Sequence, residues 1–504
     1  MIRLLKFGNV IFGIVVILML VNSVKFYFTN VFYEHITIEH KIIFFVLALL
    51  IFLTYCLISR NKTLENIAIL KHIKAFVFCL MLLWQCLLLV SMPIVPIADP
   101  GTIYRIAIGE TGAELLNYIS VNPNNYMLLI WEKCLLYLFG KRYLIHGLIL
   151  FNIAFIDIAI LLLDNLRKRL LPNSSNLLFY LLVVFVGFSP QFLQAYTDSP
   201  AFFFGTLIFY VGYQLVTAKS YTIKLLLSIA LGIILGLSYG LRAPLLIYAI
   251  SGVIVLVYQF LQIKNHSFAK NFALAGLTIL SFMTINSLSQ FTLHQEYVVP
   301  FEEGKSRTMF YFVDLGLTST GAAHAELSEE VVNAAGPERN QIFIQSIKQR
   351  VAKMDLSDWK HHLDKKLYYI TAEGLMGWQV ENVLLEENMI PNRFSNTGIA
   401  QKLRRLILVN FSDFSPYSVV FQILWIVIIL GMVIYSIFFP DFKNSLNLWV
   451  QITIFGGILF LMIFEGGRSR YLIQFLPAIL WNSSIGYERV LRTIKNVKKQ
   501  NRRI

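Results

Sequence analysis

Four short segments set charged side chains beside turn-forming residues at the edges of apolar runs. Pro96-Ile-Ala-Asp-Pro-Gly-Thr-Ile-Tyr-Arg carries Asp99 and Arg105 just beyond one run, and Tyr196-Thr-Asp-Ser-Pro puts Tyr196 and Asp198 immediately before another. Tyr239-Gly-Leu-Arg-Ala-Pro sets Arg242 between two more, and Glu465-Gly-Gly-Arg-Ser-Arg-Tyr groups Glu465, Arg468, Arg470 and Tyr471 between the last two. Charge at a hydrocarbon boundary is costly unless it is paired or used. Two carboxylates can supply a general base and its partner, and three guanidiniums can grip a phosphate through forked hydrogen bonds. Each residue also has a structural alternative. Asp99 before Pro-Gly suits a turn, Asp198 before Ser-Pro suits a helix start, Arg242 could snorkel to the interface, and Glu465 could pair with its own arginines across the Gly-Gly turn.

The elements that must position these groups follow from composition. Of 504 residues, 57% are hydrophobic and only 14% charged, with a mean hydropathy of +0.65. Soluble proteins carry about 25% charged residues, so no set of soluble domains fits. Disorder and a disulfide scaffold are excluded on the same ground. Apolar runs long enough to cross about 30 Å of hydrocarbon recur along the chain. About twelve spans are expected, near 8–28, 42–58, 75–95, 143–163, 175–190, 198–217, 222–240, 243–261, 270–288, 417–438, 446–464 and 470–487. The first has too long an apolar core for a cleavable signal, and no small-residue cleavage site follows it. The expected fold is an all-α polytopic membrane protein with outer-face juxtamembrane helices and a small, mostly helical extracytoplasmic insert. Its parts are an N-terminal transmembrane module (1–289) with a catalytic outer loop at 96–142, the insert (290–415), and C-terminal helices with a basic cytoplasmic tail (416–504). Ser328-Glu-Glu-Val-Val suggests a helix start in the insert, and 339–353 and 358–372 show helical spacing. Cys56, Cys79, Cys86 and Cys134 lie in or beside apolar runs without metal-site spacing and read as buried small hydrophobes.

Basic residues set the orientation. With a cytoplasmic N-terminus, twenty-one lysines and arginines fall on the inner side and nine on the outer, outside the 290–415 stretch. By the positive-inside rule both termini are then cytoplasmic, and all four charged clusters share the extracytoplasmic face. The insert holds 13 basic and 16 acidic residues, so the net charge of +14 comes from the rest of the chain. That excess suits an anionic inner leaflet rather than nucleic acid. Asp157, inside the fourth span near its cytoplasmic end, reads as a structural pair or a helix-end residue. His324, His361 and His362 read as solvated surface residues. No Walker A loop, HExxH or GxGxxG is present, which argues against an ATP-driven pump, and transfer chemistry outside the cell would need a donor already present there, because nucleotide sugars stay in the cytoplasm.

These residues resemble the type C integral-membrane glycosyltransferases, which include the protein O-mannosyltransferases and the aminoarabinose transferase acting on lipid A. The likeness is closest to bacterial cell-envelope members. It covers the architecture and three local features. Ala98-Asp99-Pro100 is similar to the family's catalytic acid in the first outer loop. Tyr196-Thr-Asp198-Ser-Pro looks like its second acidic motif. Glu465 with Arg468, Arg470 and Tyr471, then Pro477, looks like its late motif near the lipid phosphate. The resemblance implies a polyprenyl-phosphate-linked sugar donor, a glycan, lipid or protein acceptor, and inverting transfer on the outer face. It implies Asp99 as general base, with Asp198 as the second catalytic acid. Arg242, Arg468, Arg470 and Tyr471 would bind the donor phosphate, with Glu465, Tyr196 and Arg105 in support. Pro rather than a second acid follows Asp99, and 104–130 lacks a His-Pro-Pro element, so a divalent metal stays open as a cofactor. The alternatives are a polysaccharide polymerase or ligase using lipid-linked sugars, and a lipid or glycan transporter. The latter would predict broken spans with polar groups at mid-membrane.

Overall fold

The computed structural model describes residues 2–58, 68–172, 174–261, 268–381, 383–442, 444–464 and 466–501. Glu465 lies outside these residues, as do parts of the basic 59–74 loop and of the C-terminal tail. The described chain is all-helical, with one isolated β-bridge, Ile94 to Met389, and no strand. Nine of its helices are long and apolar enough to cross a membrane, so the protein is an all-α polytopic membrane protein. Three further expected spans take other forms. Helix Ile38–Ile58 covers one. The apolar helix Leu177–Gly187 covers part of another and is too short to cross by itself. The last becomes a tight helical turn, Ser469–Phe475, running into helix Leu476–Asn501.

The expected outer loop at 96–142 is itself helical. Ala98–Ala107 and Ala113–Val121 come first, then Tyr126–Leu170, which contains the expected span at 143–163. Gly140 breaks that long helix with φ 68°, a left-handed conformation that only glycine takes without strain. Phe139 then folds against Gly147, so the two halves change direction at this point.

The insert contains the expected helices, Arg339–Lys353 and Leu356–Thr371, and Ser328 caps the short helix Glu329–Val332 through the Val331 N–H. It is not a separate body. Its outer part has a small core of Tyr311, Leu315, Leu327, Val331 and Phe343. Its later part returns to the main core, where Leu375, Met376, Trp378, Leu384 and Ile407 are buried among the membrane helices. Over 373–381 the returning chain is not helical, so its backbone groups need partners in that apolar setting. Gln191 donates to the carbonyls of Leu375 (2.7 Å) and Met376 (2.9 Å). Gln422 accepts from the Gly374 N–H (2.7 Å) and donates to the Ala372 carbonyl (2.8 Å). Trp378 Nε1 donates to the Ile407 carbonyl.

Beyond Glu381 the chain runs beside the segment that carries Asp99. Ile97 N–H bonds the Val383 carbonyl, Val95 N–H the Asn388 carbonyl, and Ile390 N–H the Pro93 carbonyl. This backbone pairing brings the insert and the segment leading to Asp99 together, a meeting that neither segment's hydropathy pattern announces.

Candidate functional site

Asp99 stands in the first turn of helix Ala98–Ala107, where a carboxylate complements the helix dipole. The preceding residue, Ala98, has φ 57°, a left-handed conformation that costs a Cβ-bearing residue about 1 kcal/mol or more. Two residues on, a Cβ on Gly101 would sit 2.1 Å from the Pro96 carbonyl oxygen. Pro96 through Gly101 is thus a turn too tight for a side chain at its end, and it presents Asp99 outward while Pro100 and Gly101 are buried.

Asp99 lines a cavity of about 300 Å³ with Tyr196, Glu381, Arg468, Arg470 and Tyr471. Five of the residues singled out in the sequence, drawn from three distant segments, therefore surround one space. Asp198 and Arg242 lie directly behind it. Asp198 is fully buried; one oxygen accepts from Arg242 Nη2 at 2.5 Å and the other from Arg470 Nη2 at 3.1 Å. Arg242 Nε also donates to Thr197 Oγ1 (2.8 Å). Both arginines stack on aromatic rings, Arg470 over Tyr196 at 4.9 Å and Arg242 over Tyr471 at 5.3 Å, contacts that favour the cation over the ring face. Burial works against the Arg470 charge, but Asp198 and Glu381 outweigh it and hold the guanidinium firmly protonated. Among the described residues two buried donors, Arg470 Nε and Arg242 Nη1, find no partner. The two arginines therefore carry more hydrogen-bonding capacity than the carboxylates around them use.

Tyr196 and Tyr118 connect this cluster to Asp99. Tyr196 donates to Asn125 Oδ1 (3.3 Å), and Asn125 Nδ2 donates to the Tyr118 hydroxyl (2.8 Å). Burial and the nearby Asp99 carboxylate both push the Tyr118 phenol up from its ordinary value, so it remains a neutral donor beside that carboxylate. Arg105 is not part of the assembly. It faces away on its helix, is about half exposed, and pairs with Glu110 at 2.7 Å. Asp157 accepts from Gln85 (3.1 Å), the structural pairing expected of it. His362 is buried rather than solvated, and Cys79, Cys86 and Cys134 are exposed rather than buried, their thiols on the outer surfaces of the helices.

Sequence reasoning missed Glu381 and Glu373. Glu381 Oε2 stands 3.5 Å from Arg468 Nη1 and from Arg470 Nη1. Glu373 is buried and accepts from the N–H groups of Gly377 (2.9 Å) and Gln379 (2.8 Å) and from Ser469 Oγ (2.8 Å). It fastens the returning insert chain to the residue beside Arg470. Burial pushes its carboxyl up to about 7, against the lowering effect of those hydrogen bonds. Met376, at φ 51°, and Gly377, at φ 84°, form the bend it holds. The turn at 320–322 seats against Gly466 and Gly467, so the insert also walls the Arg468 side.

A divalent metal fits this arrangement poorly. Among the described residues the cavity's carboxylates are Asp99 and Glu381, and the second faces two guanidiniums that compete with any cation. Among the described residues no three His, Cys, Asp or Glu side chains converge as a metal site needs.

A family model described as "Conserved hypothetical integral membrane protein" matches residues 3–491. Comparison with curated proteins finds no match, and neither does comparison with solved structures.

Proposed function

The chain thus belongs to that family of integral membrane proteins, and on this premise we propose that it is an inverting membrane glycosyltransferase. It would transfer a sugar from a polyprenyl-phosphate donor to a cell-envelope glycan, lipid or protein on the extracytoplasmic face, with both termini cytoplasmic. The observation that carries this reading is the grouping of Asp99 with Arg468 and Arg470 around one cavity. A carboxylate that can take a proton and guanidiniums that can receive a leaving phosphate are the two requirements of such a transfer.

In this mechanism the donor phosphate lies against Arg468 and Arg470, and the acceptor hydroxyl approaches Asp99. The Asp99 carboxylate removes the hydroxyl proton as the acceptor oxygen attacks the anomeric carbon from the side opposite the phosphate. The bond between that carbon and the phosphate oxygen breaks with its electron pair, leaving polyprenyl phosphate with one more negative charge. Preformed guanidiniums stabilise that charge best because they need not reorganise as it develops. Asp198 acts on the arginines. It neutralises part of their mutual repulsion and fixes Arg470 so that Nη1 points toward the cavity side.

Transfer from purified polyprenyl-phosphate sugar, with folding checked by gel filtration, tests the reading. Asp99→Asn keeps size and turn-forming ability but cannot accept a proton, so transfer should fall about 10²–10⁴-fold with donor binding retained. Arg470→Ala should weaken donor binding. Near-normal transfer by Asp99→Asn would refute the assignment of the base and the mechanism built on it.

A further inference from the structure

Asp198 and Glu381 share Arg470, but they hold it in different ways. The Asp198 side chain is 1% exposed and uses both oxygens at 2.5 and 3.1 Å. The Glu381 side chain is 18% exposed and lines the cavity, and one oxygen is shared between two guanidiniums at 3.5 Å each. Charge-assisted contacts close to about 2.7–2.9 Å when they are optimal. One carboxylate is locked behind the arginines, whereas the other stands loosely in front of them, on the side from which a ligand must arrive.

We propose that Glu381 is a specificity-determining counter-ion: it occupies the Arg468–Arg470 fork, excludes free inorganic anions, and yields it to phosphate carried on a lipid. This rests on the reading of the cavity as a phosphate-donor site. An anion entering the fork must displace the Glu381 carboxylate and then tolerate it nearby. Small anions bring only their charge and bear that penalty in full. A phosphate on a polyprenyl chain also buries apolar surface, which offsets the penalty. Discrimination then comes from a repulsive group placed against the wrong ligand. The backbone around Glu381 supports this role. Glu373 ties the chain to Ser469 on one side and the Ile97–Val383 hydrogen bond fixes it on the other, so the carboxylate stays beside the fork after it yields.

The test uses the full chain in detergent, with inorganic phosphate and a polyprenyl phosphate as separate probes, titrated by calorimetry. Glu381→Gln keeps the shape and removes the charge, and Glu381→Ala removes both. The expected result is that both variants bind inorganic phosphate on the order of tenfold or more tightly than the wild type. The gain for polyprenyl phosphate should be smaller. Phosphate binding unchanged or weaker in both variants would overturn the inference, because a residue that merely props up the arginines loses affinity when it is removed. Absence of polyprenyl-phosphate binding in the wild type and both variants would instead overturn the phosphate-site reading itself.

Discussion

Replacing Asp198 with Asn tests the buried ion cluster without changing its shape. The side chain is fully buried and both oxygens accept from guanidiniums. Asn keeps one acceptor, but its amide presents N–H groups to the other arginine, and the negative charge is gone. Arg242 and Arg470, each below a tenth exposed, would then face each other with Asp198's compensation lost. Breaking a buried pair by removing one partner costs about 3–5 kcal/mol, a hundred- to several-thousand-fold change in the folding equilibrium by the usual conversion of about 1.4 kcal/mol per decade. The exposed pair Arg105–Glu110 provides an internal comparison. Its side chains are 55% and 41% exposed, so Glu110→Gln should cost about 1 kcal/mol or less. Unfolding of detergent-solubilised protein by SDS, followed through the fluorescence of the seven tryptophans, measures both. Adding Arg470→Met to Asp198→Asn should recover part of the loss, because it removes one orphaned charge. An Asp198→Asn protein as stable as the Glu110→Gln protein would refute the argument, as would strict additivity in the double variant.

Two further outcomes follow from the site and its orientation. The raised Glu373 carboxyl makes the folded state hold its proton more tightly than the unfolded chain does. Its contribution is therefore present below about pH 4.5 and lost as pH rises toward about 7, by up to about 3 kcal/mol. Glu373→Gln, a neutral mimic, should flatten that part of the stability–pH curve, and an unchanged slope would refute it. Cysteine placed at Ser306 should react with a membrane-impermeant reagent added outside cells while cysteine at Lys499 should not, and the reverse pattern would invert the proposed topology.

The membrane class and most long helices were legible because a spanning helix writes itself as a continuous apolar run. Asp99, Tyr196, Arg468, Arg470 and Tyr471 were legible for a related reason: polar groups at the ends of such runs stand out. Arg105 was misleading. Six residues past Asp99 in a helix is about 240° around the axis, which turns it away from the cavity. Glu381 was invisible in a stretch with fifteen other acids, and only the return of Trp378 and its neighbours to the core gives it a role. Likewise nothing local marks Asp198 as a clamp on two arginines, since its partners lie 44 and 272 positions along the chain.

Those separations carry a consequence for biosynthesis. A ribosome delivering about 5–20 residues per second releases Arg242 within seconds of Asp198, whereas Arg470 follows tens of seconds later. Arg242 can therefore neutralise Asp198 while the early helices are still entering the bilayer, and no lone carboxylate need wait in hydrocarbon. Arg470 arrives last, after Glu381 has already emerged, and so meets acidic partners on two sides. The cavity itself cannot exist before the final helices are inserted, so a nascent chain cannot display it prematurely.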